Sequence, residues 1–271
     1  MTNKSKYNLN GYILGEFDSP IDGKPCVAIA TGFKSKSQNA KTGGDMIQTF
    51  FIRRDIEPHI AFKNGEGYSC CGDCPHAKYN NPKENGFDDC YVFVGRSVLS
   101  VYRAYRKGRY KHLNGDYSKF NNRGLRLGSF GDPSIVPQEI IMNMIENSKY
   151  HTGYTHQWRK PFGQFLKGLV MASADGMRDY IEATANGWQP FHVRKSHEPK
   201  PQNAVMCPSS KEANRVSSCE ACKLCDGSKM PVSIIFSTWG FKSPLSVTNS
   251  FLKALSNFVG VLLIVALVLI I

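Results

Sequence analysis

Nine cysteines in 271 residues, eight of them in two clusters, hold most of the chemistry legible in this chain. Cys207, Cys219, Cys222 and Cys225 are spaced C-x11-C-x2-C-x2-C and run into Asp226-Gly227. Each two-residue loop turns neighbouring sulfurs the same way, so four thiolates can converge on one tetrahedral zinc ion. The C-x2-C-x2-C portion suits an iron–sulfur cluster equally well, because thiolate ligands favour both metals. The plain alternative is four ordinary buried or surface thiols. The other cluster is Cys70-Cys71-Gly72-Asp73-Cys74-Pro75-His76, with fifteen residues between Cys74 and Cys90. Cys71, Cys74 and Cys90 make three ligands, and Cys70, His76 or an external group can be the fourth. Three protein ligands and an open position are what catalysis on a metal requires, whereas a closed site would merely pin a long loop. Cys26 lies in an apolar run and reads as a buried residue.

Three further segments place polar groups where a strand ends. Gly128-Ser129-Phe130-Gly131-Asp132-Pro133 closes the alternating run Leu125–Phe130. In parallel α/β folds the ligand crevice lies beyond the carboxyl ends of strands, which would put Ser129, Gly131 and Asp132 there. Asp132 can instead be the cap of the turn that Pro133 begins. In Thr152–Trp158, His156 is a candidate acid, base or ligand, or else a hydrogen-bonded structural histidine. Ala172-Ser173-Ala174-Asp175 is the third strand end, with Ser173 and Asp175 directed the same way. Catalytic candidates are therefore Asp132, His156, Ser129 and Asp175, with Gly131 and Ser173 as cofactor contacts.

The elements that must position these groups follow from periodicity. Cys26–Thr31 and Asp45–Arg53 read as strands on either side of a basic loop, Lys34–Gly44. Ser97–Lys107 repeats its apolar residues at helical spacing and stops at Gly108. From Gly124 onward short strands at 125–130, 152–155, 168–172, 191–193 and 232–237 alternate with helices at 137–147 and 176–185. Trp158–Phe165 is a helical or loop return. Alternation of this kind implies parallel βαβ units, so the expected class is α/β: a partial β/α barrel or an open, mostly parallel sheet with cysteine-rich metal-binding loops. Residues 1–24 read as a polar lead-in, 25–241 as the α/β body and 242–253 as a linker. Residues 254–271 form an uncharged run expected to be a transmembrane helix of roughly 27 Å at the usual rise.

Charge and compartment complete the reading. Lys and Arg total 34 against 22 Asp and Glu, a net +12, which favours polyanions or anionic lipid. Tyr102–Lys111 interleaves five cations with three tyrosines. Arg103, Arg106, Lys107 and Arg109 thus make a candidate surface for nucleic acid or lipid headgroups, with a solvated helix face as the alternative. Lys242 and Lys253 before the apolar run place the body on the cytoplasmic side, where thiols stay reduced and clustered cysteines point to metal. Lys41-Thr42-Gly43-Gly44 lacks the upstream glycine of a phosphate-binding loop, and neither GxSxG nor HExxH occurs.

Several segments together carry a resemblance: GKPCVAIATG, KTGGDMIQTFF, CGDCPHA…CYVFVG, SVYRAYRKGRY, RLGSFGDPSIVP, TGYTHQW, MASADG and CPSS…CEACKLCDG. In this order, from about Gly23 to Gly240, they resemble a family of proteins encoded by phages and bacteria that has no assigned activity. The likeness implies a phage-type protein; the apolar run at 254–271 lies outside it, and it is that run which sets the expected location at the host cytoplasmic membrane. More distantly, Cys71, Cys74 and Cys90 after an early strand, with Gly131-Asp132-Pro133 at a later strand end, are similar to the layout of radical S-adenosylmethionine partial barrels. The spacing C-x2-C-x15-C differs from the C-x3-C-x2-C of that group. Two expectations follow. One is a metalloenzyme acting on a nucleotide or nucleic acid. The other is a non-enzymatic, zinc-stabilised protein that binds nucleic acid or anionic membrane.

Overall fold

The computed structural model describes residues 10–34, 43–77, 90 and 92–235. The expected linker and membrane helix, 242–271, lie outside the described residues, as does most of the loop at 34–44. Among the described residues no helix is long and apolar enough to cross a membrane.

The chain opens with three antiparallel strands, β1 (Gly11–Asp18), β2 (Pro25–Thr31) and β3 (Met46–Arg53). The first of these lies in the segment expected to be a polar lead-in. Its alternation is real but shallow, since Ile13 is buried while Tyr12 and Leu14 are only partly covered. β2 needs no alternation, because Cys26 to Ala30 are buried on both faces of the sheet. Two short helices follow, α1 (Pro58–Lys63) and α2 (Tyr68–Cys71), then α3 (Ser97–Arg106), which buries Val98, Val101 and Tyr102. A two-residue strand, β4 (Lys111–His112), pairs with β1 at the sheet's outer edge.

The rest of the body is parallel. It comprises β5 (Gly124–Phe130), α4 (Gln138–Glu146), β6 (Tyr150–Thr152), β7 (Tyr154–Thr155), β8 (Met171–Ala174), α5 (Met177–Ala185), β9 (Pro190–Arg194), β10 (Val205–Met206), α6 (Cys219–Cys222) and β11 (Val232–Ile235). The return at 158–165 is a 3-10 turn over Pro161–Leu166. One sheet runs β4-β1-β2-β3-β5-β6 and the other β10-β11-β9-β8-β7. They meet where Gly153 alone separates β6 from β7. Its N–H donates to the Cys225 carbonyl at 3.0 Å, and its own carbonyl accepts from Met171 N at 3.0 Å. A side chain at Gly153 would come within 2.7 Å of Val170 Cγ1, so glycine lets the two sheets close on each other.

The fold is therefore α/β with mostly parallel, open sheets, as expected. α5 packs on β8 and β9, and Ile141 and Met144 of α4 join Phe51, Leu125, Leu127 and Trp158 in the main core. The direction shared by β3, β5, β6, β7, β8 and β9 gathers their carboxyl ends on one edge.

Candidate metal centre

That edge holds a cavity of about 100 Å³. Cys71, Cys74 and Cys90 line one side of it; Ser129, Gly131, Asp132, His156, Ser173 and Asp175 line the strand ends. The sequence candidates for catalysis, cofactor contact and the first metal cluster thus share one cavity.

Asp132 is the joint that holds it together. Its Oδ1 accepts from Ser134 N at 3.0 Å and from Thr155 Oγ1 at 2.7 Å, and its Oδ2 accepts from His156 N at 2.8 Å. Its own N–H donates to the Cys70 carbonyl at 2.8 Å. The capping role is thus the one its geometry supports: with three donors on its carboxylate, Asp132 positions the cysteine loop and the end of β7. Ser129 is also engaged, donating to Gln48 Oε1 at 2.6 Å. Gly131 has φ 83°, and a Cβ there would collide with the Phe51 carbonyl oxygen. Its N–H is thereby free to reach the Cys71 sulfur. Gln157 Nε2 donates to the Cys71 carbonyl at 3.1 Å and completes the hold on that residue. Ser173 presents its carbonyl to Trp158 Nε1 at 2.9 Å.

The cavity's electrostatics follow from crowding. Burial pushes the Cys71 thiol well above its ordinary value, and the neighbouring Cys74, Cys90 and Asp132 push the same way. The Cys71 thiol therefore stays protonated until a cation lies beside it. At His156 burial works against the charged form, but Cys74 and Asp175 outweigh it and hold the imidazole well above its usual value. Burial alone would raise the Asp175 carboxyl; instead the hydrogen bonds from His156 and His76 hold it well below the usual carboxylate range.

His76, named in the sequence only as a spare ligand, has a closer relationship to the histidine and aspartate of β7 and β8. Its Nε2 lies 2.7 Å from Asp175 Oδ1, while His156 Nε2 lies 3.0 Å from Asp175 Oδ2. Among the described residues these three are the group whose ligand atoms all fall within 4.8 Å of one another, and no three cysteine sulfurs meet that spacing. No period or motif links positions 76, 156 and 175, which is why only the fold reveals the group.

The second cluster lines its own cavity. Cys207, Cys219, Cys222 and Cys225 surround it, with Arg126, Tyr154 and Phe191. Ser218 caps α6 by accepting from Ala221 N at 3.2 Å, and Lys223 ends it in the left-handed region at φ 53°. This turn separates Cys219 and Cys222 from Cys225. Burial raises the Cys225 thiol far above its ordinary value, opposed by the Tyr154 hydroxyl and reinforced by the other three cysteines. The four sulfurs are gathered but not closed: around zinc they would stand roughly 3.8 Å apart, given a Zn–S distance of about 2.3 Å. Tyr154 and Phe191, with ring centroids 4.7 Å apart, line both cavities and form the wall between them.

The basic segment is divided by its contacts. Arg106 lines a groove of about 890 Å³ with Arg54, Lys111, His112, Tyr105 and Tyr110. Arg103 faces Glu57 at 3.3 Å, and Lys107 and Arg109 are exposed outside the groove.

What fold and site define is an α/β protein with two cysteine-lined cavities and a His–Asp group able to hold a metal. No family model, curated protein or solved structure matches the chain.

Proposed function

We propose that this chain is a phage-type membrane protein, anchored through residues 254–271 in the host cytoplasmic membrane, whose cytoplasmic body is a metalloenzyme acting on a nucleotide or nucleic acid. The observation that carries the reading is the shared cavity: Cys71, Cys74 and Cys90 face the same space as His156 and Asp175. In this reading the three sulfurs hold zinc or an iron–sulfur cluster, which supplies an open coordination position. His156 and Asp175 would face the reacting group from the strand ends, while Asp132 fixes the backbone that presents His156. A cavity of about 100 Å³ is smaller than the roughly 150 Å³ that holds a benzene ring. A polynucleotide would therefore present only its reacting end, leaving its charged backbone outside.

The test is anaerobic purification of the full chain in detergent, followed by metal and acid-labile sulfide analysis of wild type and Cys71→Ser. The reading expects bound metal that falls by one centre in the variant. Equal metal in both proteins would remove it.

The groove favours a second reading, a zinc-stabilised protein that binds nucleic acid or anionic membrane without catalysis. Its cations match a phosphate backbone, and the part-exposed Tyr105 offers a ring to a base. Binding that weakens with salt and drops at least tenfold in an Arg106→Ala/Lys111→Ala variant is expected; unchanged binding would exclude the groove.

A further inference from the structure

We propose that His76, His156 and Asp175 hold a divalent first-row transition ion of their own, beside the first cysteine cluster, whose Cys74 thiol hydrogen-bonds His156, and open to solvent on one side. The three side chains come from the loop after α2, the end of β7 and the end of β8, so the fold brings together ligands 80 and 19 positions apart. Both imidazoles present the same atom, Nε2, to opposite oxygens of one carboxylate, at 2.7 and 3.0 Å. The three ligand atoms lie within 4.8 Å of one another, and an ion about 2.0–2.2 Å from each would replace the two N–H···O bonds, spreading each nitrogen and oxygen to roughly 3.4 Å apart. Two imidazoles and a carboxylate select zinc, iron, cobalt, nickel or copper over calcium and magnesium, which take oxygen ligands.

Position distinguishes this group from a plain hydrogen-bonded cluster. The side chains are 19%, 21% and 16% exposed, so they are ordered yet reachable. His156 and Asp175 also line a second, outer cavity of about 340 Å³, bounded by Asp73, Arg159 and Lys160. An ion held here would sit in the wall between the inner cavity and that vestibule, with a coordination position for water or an anionic group entering from outside. Three protein ligands with an open face are the pattern of a reactive metal site, not a structural one. His76 is thereby assigned away from the cysteines of its own loop.

Cobalt(II) titration of the full-length protein, read by visible and near-ultraviolet absorption, separates the two kinds of site. Thiolate ligation gives intense charge-transfer bands, and nitrogen/oxygen ligation gives weak d–d absorption. The expected result is that His76→Ala and His76→Gln each bind one equivalent less cobalt while the thiolate bands keep their wild-type intensity. Cys71→Ser should weaken the thiolate bands and leave the nitrogen/oxygen absorption in place. Unchanged cobalt uptake in both His76 variants would overturn the proposal, as would loss of thiolate bands in them, since His76 would then serve the cysteine centre. Wild-type protein without thiolate bands but with the nitrogen/oxygen absorption would overturn the cysteine reading alone.

Discussion

At the residue scale, Asp132 shows how one carboxylate can organise a site without reacting in it. It accepts from Ser134, Thr155 and His156 while its N–H holds Cys70, so three segments, its own turn, the end of β7 and α2, meet at a residue that is 6% exposed. Asp132→Ala leaves three donors without their acceptor, and the expected cost is about 3 kcal/mol or more in urea unfolding. Asp132→Asn keeps an acceptor oxygen and should cost less. His192 makes a pH prediction. It is fully buried on β9 with Nδ1 3.2 Å from Ser233 Oγ, and burial lowers its pKa below the ordinary value. A histidine depressed in the folded state contributes stability above its unfolded value, near 6.5, and loses it as pH falls through the lower folded value. The urea midpoint of His192→Asn should therefore vary less between pH 7.5 and 5 than that of wild type. A steeper dependence in the variant would contradict this. The capping role of Asp132 was legible, because Asp before Pro at a strand end names a turn. Its bonds to Thr155 and His156 were not, because they depend on where β7 lies relative to β5.

At the element scale, the joint between the two sheets rests on Gly153 and the strand end on Gly131. Gly153→Val places a branched side chain against Val170 and Leu127, so β6 and β7 cannot both keep their partners. Its thermal midpoint should fall far more than that of Gly23→Val, where nothing lies within 4 Å and only the positive φ of 70° carries a penalty, on the order of 1–2 kcal/mol. Comparable losses at the two positions would mean the sheets are not joined as described. Strands β2, β3 and β5 and helices α3, α4 and α5 were readable from their apolar periods. β1 was not: Gly11–Asp18 pairs with the two-residue β4 near the sheet's edge and buries little besides Ile13, so its pattern resembles a polar segment. Ser129, Asp132, His156 and Asp175, each read from the sequence as lying at a strand's carboxyl end, line one cavity. No rule of spacing could bring in His76, whose partners are supplied by other strands.

At the scale of the whole molecule, the described body has two cysteine cavities back to back, divided by Tyr154 and Phe191. The Cys71, Cys222 and Cys225 thiols are raised by burial and by neighbouring cysteines, so loading a metal must release protons and uptake should weaken as pH falls. An ion bound only by the folded state adds about 2.7 kcal/mol at a hundredfold excess over its dissociation constant. Treating the metal-loaded protein with a chelator should lower its thermal midpoint, and restoring zinc or iron should recover it. A midpoint indifferent to the chelator would leave the cavities without a structural role.

The most direct measurement is alkylation of the nine thiols in native full-length protein, followed site by site by mass spectrometry, with metal bound and after chelation. Buried Cys26, Cys70, Cys207 and Cys225 should react slowly in both states. The part-exposed Cys71, Cys74, Cys90, Cys219 and Cys222 should be protected with metal and become reactive together, cluster by cluster, once it is removed. Reaction of those five at the same rates in both states would contradict the claim that the two clusters are metal centres.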